Sequence, residues 1–138
     1  MTAAVFDTNV IVSAVLSPSG APGRLLDAML DGFCQPVVSD AILAEYEEVL
    51  NRPKFRFPAF RVHALLDAIR ACSIHAPFVL LPNSEALPDP DDVIFVEAAA
   101  GAHVPIVTGN IRHYPRVVRE GISVLSPSEF LIQLTREQ

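Results

Sequence analysis

The sequence has few of the residues that mark disulfide-rich or metal-finger proteins. It contains two cysteines, no tryptophan and a single lysine in 138 residues. Cys34 and Cys72 lie in apolar surroundings without CxxC spacing, which favours two buried thiols over a disulfide or a metal site. The chain also lacks internal repeats and low-complexity tracts. These features favour an ordinary globular domain in a reducing cytoplasm.

Long hydrophobic runs are absent as well. No apolar run reaches the roughly 18 residues that a membrane-spanning helix requires. The first residues are apolar, but they lack a basic n-region and Asp7 interrupts them, which argues against a signal peptide. With 51% hydrophobic and 19% charged residues, the chain can bury a substantial core. We therefore expect one cytoplasmic domain, residues 1–138, that does not enter a membrane.

Positive charge is scarce but concentrated. The net charge of −6 is unlike that of a protein with a general basic coat for nucleic acid. Seven of the ten basic residues fall in two short stretches, which contain Arg52, Lys54, Arg56 and Arg61, then Arg112, Arg116 and Arg119. An acidic protein can still bind RNA where its positive charge is local and metal ions bridge the remainder.

Short apolar strands alternate with helical patterns along the chain. The predicted strands cover residues 3–6, 35–38, 78–81, 105–107 and 122–125. The predicted helices cover about 25–30, 39–50, 58–74 and 92–100, and a closing helix begins at Pro127. This alternation predicts an α/β fold of three layers, α/β/α, with a central parallel sheet of about five strands.

Polar residues follow two of the predicted strands, at Asp7 and at residues 108–110. Parallel sheets place their sites beyond the carboxyl ends of the strands, near the point where the strand order reverses, so both positions can line one crevice. A carboxylate at the end of a buried strand costs free energy unless it meets a cation or several hydrogen-bond donors. The alternative is that Asp7 only caps a turn through the amides of Thr8 and Asn9.

The densest acidic cluster is Asp89-Pro90-Asp91-Asp92, at the start of a predicted helix. An acid at such a position is often only a helix cap. The positive end of the helix is also expected to keep Asp92 ionised, as a ligand of a hard cation must be. Carboxylates that cluster without histidine or cysteine partners favour Mg²⁺ or Mn²⁺ over zinc.

Glutamates add further candidate ligands. On the helix over 39–50, Glu45 and Glu47 flank the apolar face about equally, whereas Glu48 points away. Periodicity leaves the choice open, and a solvated face is the default for at least two of the three. Glu97 projects within the apolar pattern of the next helix, where it either supports the site or reaches solvent at the rim of the crevice.

Four segments carry a resemblance that extends over nearly the whole chain in order. They are DTNVIVSAVLSPSGAPGRLL, SDAILAEYEEVLNRPKF, DPDDVIFVEAAAGAHVPIVTGNIRHYP and GISVLSPSEFL. Together they resemble the PIN-domain family, and within it the VapC-like branch of toxin components of toxin–antitoxin pairs. The length and order of the match make it more specific than any one motif.

The resemblance implies a set of site residues. The first acid of the family, in its D-T-N motif, corresponds to Asp7, and the helix glutamate of I-L-x-E-Y corresponds to Glu45. The acid that opens the later helix corresponds to Asp92, with Asp91 as an alternative one position away. The fourth position, after T-G, is aspartate in many members and is Asn110 here. This change removes one charge and leaves the number of metal ions open.

Further residues follow the last of these motifs. Thr108 resembles a conserved hydroxyl of the family that positions water or a metal-bound carboxylate. Arg112 and His113 are candidates for contact with a phosphate, although a rim position without a role suits His113 equally.

The activity that the resemblance implies is Mg²⁺- or Mn²⁺-dependent hydrolysis of RNA by an endoribonuclease. One or two ions held by Asp7, Glu45 and Asp92 activate water and offset charge on the phosphate, so that the carboxylates act as ligands rather than nucleophiles. The expected partners are the RNA substrate, a small antitoxin protein and further copies of the chain in a homo-oligomer.

Three other functions compete with this interpretation. A phosphotransfer domain with Asp7 as phosphoacceptor needs a lysine at a strand end, but Lys54 lies in a helix connection, and no Walker-type glycine loop is present. A catalytically weak or inactive PIN-like module that binds RNA or protein is compatible with Asn110. An unrelated α/β binding domain is the third. A metal-dependent cleavage assay separates these functions.

Residues 52–57, RPKFRF, interleave basic and aromatic side chains. One hypothesis is an RNA-contacting ridge that combines phosphate attraction with base stacking. The alternative is a helix connection whose phenylalanines belong to the core and whose charges are solvated.

Overall fold

The computed structural model describes residues 2–77, 87–115 and 121–137. The strands are β1 (Ala3–Phe6), β2 (Gln35–Val38), β3 (Ile74–His75), β4 (Ile106–Val107) and β5 (Val124–Leu125). The helices are α1 (Thr8–Leu16), α2 (Ala21–Leu30), α3 (Asp40–Leu50), α4 (Ala59–Cys72), α5 (Val93–Ala102) and α6 (Pro127–Arg136). Short 3₁₀ helices lie at Pro53–Phe55, Pro90–Asp92 and Ile111–His113. In these residues, no helix is both long and apolar enough to cross a membrane.

The strands form one sheet in the order β3-β2-β1-β4-β5, and every neighbouring pair is parallel. The chain builds outward from β1 on one side and returns to β4 on the other. The strand order therefore reverses between β1 and β4, and a crevice is expected at their carboxyl ends. The predicted three-layer α/β/α fold with a five-stranded parallel sheet is confirmed.

The carboxyl end of β1 is fixed by two helices. Phe6, the last residue of the strand, is fully buried and meets Phe130 of α6 edge to face, with ring centroids 5.8 Å apart. On α3, the buried Tyr46 donates a hydrogen bond from its hydroxyl to the carbonyl of Phe6. Because both contacts involve the residue before Asp7, they hold the site end of the central strand in place.

Helix α1 is not predicted from the sequence. Its residues, TNVIVSAVL, are rich in β-branched side chains, which have a low intrinsic helix propensity, and they are too uniformly apolar to show a helical stripe. Burial of Val10, Ile11 and Ala14 in the core selects the helix instead. Tertiary packing here overrides local preference.

Most other predicted elements agree with the structure to within a few residues. The predicted N-cap of α3 is confirmed, because Ser39 Oγ accepts a bond of 3.2 Å from the Ile42 N–H. Helix α6 begins at Pro127 as predicted. The strand predicted at 78–81 lies outside the described residues, while β3 begins at Ile74, the last residue of the helix predicted over 58–74. Both cysteines are free thiols, with Cys34 buried.

Gly23 provides a test of how closely α2 packs on the turn after α1. A Cβ at this position would lie 2.1 Å from the Pro18 carbonyl oxygen, a backbone atom that cannot move aside cheaply. We expect Gly23→Ala to lower the free energy of unfolding by about 1–3 kcal/mol, the usual cost of overpacking. Urea unfolding measures the change. The control is Gly20→Ala, whose Cβ would have its nearest contact at 3.5 Å. Equal stability of the two variants would contradict the close contact.

Candidate functional site

Three potential metal ligands meet at the carboxyl edge of the sheet. One ligand atom from each of Asp7, Asp92 and His113 lies within 4.8 Å of the other two. Asp7 directly follows β1, Asp92 directly precedes α5, and His113 ends the 3₁₀ helix after β4. Asp7 is 4% exposed and Asp92 is 6% exposed, whereas His113 is half-buried. The cluster lies where the strand order reverses.

The carboxylate of Asp7 is held by two hydroxyl groups. Thr108 Oγ1 and Tyr114 Oη each donate a hydrogen bond of 2.9 Å to Asp7 Oδ2. The backbone N–H of Asp7 donates to the carbonyl of Val107 at 2.9 Å, so the neighbouring strand fixes the main chain too. The alternative role, in which Asp7 only caps a turn, is wrong because its side chain makes no cap bond. Both hydroxyls bind Oδ2, which leaves Oδ1 to a ligand.

The hydroxyl of Thr108 belongs to a network that joins the ends of β1 and β4. Asn9 Nδ2 donates to Thr108 Oγ1 at 3.4 Å, and the Asn110 N–H donates to the same oxygen at 3.1 Å. Asn9 Oδ1 in turn accepts from the Gly109 N–H at 2.9 Å. Because Oγ1 accepts these bonds, its one proton is directed to Asp7. Thr108 thus makes the contact with a site carboxylate that the family resemblance implies.

Asp92 and His113 form the second half of the cluster. His113 Nδ1 lies 2.9 Å from Asp92 Oδ2. Both atoms are buried, and among the described residues each has only the other as a polar partner. Buried polar atoms are normally paired, because leaving them unpaired costs free energy. A buried carboxylate oxygen whose one polar contact is an imidazole nitrogen, beside a second buried carboxylate, fits a divalent cation that would offset both charges.

The pKa of Asp92 reflects this crowding. Burial, followed by the charge of Asp7, raises the pKa of Asp92 from its ordinary value of 3.8 to about 7, although His113 acts in the opposite direction. This shift runs against the prediction that the positive end of a helix keeps Asp92 ionised. Burial and like charge outweigh the helix dipole at this position.

Glu45 lies outside the group of three. It is half-buried on α3, while Glu47 and Glu48 are exposed. Its pKa is raised, first by burial and then by the charges of Glu48 and Asp91, while Arg52 lowers it. The charges that act on Glu45 are therefore those of its own helix, of Arg52 just after that helix, and of the segment before Asp92.

The other candidates occupy the rim. Asp91 is exposed, and its N–H donates to the Asp89 side chain at 2.9 Å, so Asp92 is the acid that lies beside Asp7. Asn110 is exposed and bonds to Thr108 through its backbone rather than its side chain. Arg112 is also exposed. Asp91 is not part of the group that Asp7 forms with Asp92 and His113.

Glu97 faces a different part of the surface. It is half-buried and lines a cavity of about 390 Å³ together with Ser39, Asp40 and His75. Burial raises the pKa of its carboxyl group. The structure thus places Glu97 in a cavity whose lining does not include Asp7 or Asp92.

Sequence reasoning misses two residues of the cluster. The premise that the acids lie together without histidine is wrong, because His113 joins them. Tyr114 is not among the predicted site residues, yet it is 1% exposed and donates a hydrogen bond to Asp7. A signal for both exists in the sequence: a buried carboxylate needs donors, and RHYP follows directly on the polar end of β4. The 3₁₀ turn that directs these side chains inward is not visible in a linear pattern.

A family model for the PIN domain matches residues 3–112. The chain therefore belongs to the PIN-domain family. The uncharacterized protein MJ1680 of Methanocaldococcus jannaschii is 28% identical over 137 residues, which cover 92% of this chain and 88% of that protein. The crystal structure of VapBC2 from Rickettsia felis bound to a DNA fragment from their promoter has the same fold. Its TM-score is 0.62 at 14% identity, with 91% of this chain and 98% of that chain covered.

The raised pKa of Asp92 predicts a dependence of stability on pH in the presence of a chelator. The folded chain disfavours the ionised form, so stability should fall as the pH rises from about 4 to about 7 and remain lower above that. Asp92→Asn removes the ionisable group and with it this loss of stability. The unfolding temperature of the variant minus that of the wild type should therefore increase from pH 5 to pH 8. Thermal unfolding in EDTA measures it, with Asp91→Asn as the exposed control. If the difference in unfolding temperature between Asp92→Asn and the wild type does not vary with pH, the pKa of Asp92 is not raised.

Proposed function

We propose that this PIN-domain protein is a Mg²⁺- or Mn²⁺-dependent endoribonuclease and the toxin of a type II toxin–antitoxin pair. The observation that carries the proposal is the pair of buried carboxylates, Asp7 and Asp92, that meets His113 where the strand order reverses. Family membership favours a nuclease. The VapC-like resemblance of the sequence and the fold shared with VapBC2 support the toxin assignment.

The residues present fit a divalent cation. Asp7 and Asp92 would hold the ion, because two buried carboxylates repel each other until a positive charge offsets them. Carboxylate oxygens are the donors that Mg²⁺ and Mn²⁺ prefer. When bound, the ion would lower the pKa of a water molecule and stabilise charge on the phosphoryl oxygens during hydrolysis.

The remaining side chains position these ligands. Thr108 and Tyr114 hold the Asp7 carboxylate in one orientation through Oδ2. Burial, together with the negative charge of Asp7, raises the pKa of the Tyr114 hydroxyl, so that it remains a proton donor throughout the physiological range. Asp7 is thereby held as a ligand, and a carboxylate fixed in this way is poorly placed to act as a nucleophile.

Glu45 and Asn110 complete the proposed site at its outer side. Glu45 faces the charges of Asp91 and Asp89, and Asn110 is exposed at the end of β4. We assign them to a second ion position. Because Asn110 carries no charge, an ion there would depend on RNA phosphate for part of its coordination.

For the segment 52–57 we propose a role in RNA binding through its positive charges and not through base stacking by its own rings. Phe55 and Phe57 stack on each other, with centroids 5.5 Å apart, and pack against the core, so these rings are structural. Lys54 and Arg56 are exposed, and Lys54 Nζ lies 5.0 Å from the centre of the Phe55 ring. We propose that their charges attract RNA phosphates. Phe60, three residues after this segment, is 72% exposed and is an aromatic ring that a base could stack on.

The partners and location follow from the toxin assignment. We propose a small antitoxin protein that covers the crevice or an adjacent groove, self-association into a homo-oligomer, and a cytoplasmic location. Co-expression with the gene encoded beside it, followed by affinity purification, tests the antitoxin.

A second candidate function is a PIN-like module that binds RNA or protein without cutting. It is favoured by the position of Glu45 outside the cluster and by the neutral Asn110. RNA binding without cleavage at saturating Mn²⁺ would support it.

The central prediction concerns Asp7→Asn. On mixed RNA with Mg²⁺ or Mn²⁺, cleavage should fall by at least about 100-fold, or roughly 2.7 kcal/mol in activation free energy. The fold should persist, and in EDTA the variant should be as stable as the wild type or more so, because repulsion with Asp92 is removed.

The matched control for this prediction is Asn110→Ala, which removes a neutral group at the rim. It should cost less than about tenfold in rate. Wild-type cleavage by Asp7→Asn at saturating Mg²⁺ would end the metal-nuclease proposal.

The basic segment is tested by the salt dependence of RNA binding. In the Asp7→Asn background, which binds without cutting, Lys54→Ala with Arg56→Ala should weaken affinity. The slope of log K against log salt should become less steep by about 1.4, since each phosphate contact contributes about 0.7 on single strands. Arg24→Ala with Arg136→Ala removes the same charge elsewhere and is the control. If the salt slope of the Lys54→Ala, Arg56→Ala variant is unchanged, the segment is only structural.

A further inference from the structure

We propose that His113 is itself a ligand of the ion, through Nδ1, and that this nitrogen donor makes the site prefer transition-metal ions over Mg²⁺. The inference rests on the proposed function, because it concerns the ion of the same site. It differs from the oxygen-only ligand set that the sequence predicts, and it changes the class of cofactor.

The spacing of the donor atoms supports coordination. His113 Nδ1 lies 2.9 Å from Asp92 Oδ2, and one atom of Asp7 lies within 4.8 Å of both. Two neighbouring ligands of an octahedral ion, each about 2.1 Å from the metal, are about 3.0 Å apart. The nitrogen and the oxygen are therefore spaced as adjacent ligands of one ion.

The burial of these atoms points the same way. Asp92 is 6% exposed, and its Oδ2 and His113 Nδ1 are buried with only each other as a polar partner in the part of the chain that the structure describes. A cation bound to both atoms would replace this single contact and offset the charge of the carboxylate. The His113 side chain is 36% exposed, so the rest of the ring reaches solvent and Nε2 can carry the proton while Nδ1 presents its lone pair.

The backbone holds the imidazole in place. The His113 N–H donates to the Asn110 carbonyl at 3.1 Å, and the Tyr114 N–H donates to Ile111 at 3.0 Å. Tyr114 is in turn bonded to Asp7. The residue next to His113 is thus tied to the opposite side of the cluster. The match to the family model ends at Arg112, so this donor lies beyond the part of the chain that the model covers.

The chemical consequence is a change in metal preference. Imidazole nitrogen binds Mg²⁺ weakly, and affinities for nitrogen-containing sites rise along the first transition series from Mn²⁺ to Co²⁺ and Ni²⁺. Two carboxylates with one imidazole should therefore bind Co²⁺ more tightly than Mn²⁺ and Mn²⁺ more tightly than Mg²⁺.

The experiment measures ion binding to the purified protein without RNA. Titration calorimetry gives the affinities for Mg²⁺, Mn²⁺ and Co²⁺, and electron spin-echo modulation of bound Mn²⁺ reports a directly coordinated ¹⁴N nucleus. His113→Gln replaces the nitrogen donor by an amide. It should lower Co²⁺ affinity by about tenfold or more while Mg²⁺ affinity changes by less than about threefold. His63→Gln, on the exposed face of α4, is the control and should leave all three affinities unchanged.

The outcomes separate this inference from the proposed function. A ¹⁴N signal in the wild type that is lost in His113→Gln supports it, and this holds even if no RNA is cut. Cleavage of RNA with Mg²⁺ but no ¹⁴N signal from bound Mn²⁺ leaves the nuclease standing and overturns the role of His113. An equal loss of Mg²⁺ and Co²⁺ affinity in His113→Gln, or no binding of either ion to the wild type, overturns it as well.

Discussion

A buried negative charge at the end of the central strand is the constraint on which this site depends. Asp7 follows β1 directly, is 4% exposed, and is held through one oxygen by Thr108 and Tyr114. A lone carboxylate in such a place is costly, so its surroundings must supply donors or a cation. The structure supplies donors to one oxygen only. A carboxylate oxygen of Asp7 also lies within 4.8 Å of ligand atoms of Asp92 and His113, and this grouping fits a cation.

The rest of the molecule keeps this arrangement from relaxing. The crevice forms at the ends of β1 and β4 because the strand order reverses there. Phe6 is fixed on both sides, by the Phe130 ring and the Tyr46 hydroxyl, and Asp7 is bonded to β4 through its backbone. Asp7 therefore cannot move away from Asp92 without breaking these contacts. Burial, and after it the charge of Asp7, raises the pKa of Asp92.

The architecture was predictable because its signals are local in sequence. Apolar strands alternating with helices define the parallel sheet, and a polar residue at a strand end marks the crevice, as Asp7 shows. Helix α1 escapes prediction because its helical form is chosen by burial rather than by propensity. His113 and Tyr114 escape for another reason. Whether they face the cluster depends on a single 3₁₀ turn, and a turn leaves no periodicity to detect.

The two carboxylates lie in a different part of the chain from His113 and Tyr114, which contact them. Asp7 and Asp92 lie within the part that matches the family model, whereas His113 and Tyr114 lie just after it. The fold therefore fixes the positions of the two buried carboxylates. The segment after β4 supplies the imidazole and the hydroxyl that contact them. Loops on a rigid scaffold are where function varies most readily. Under the proposed function, Asn110 and the 3₁₀ turn that follows it are where the charge and the donor type around the two acids would be set.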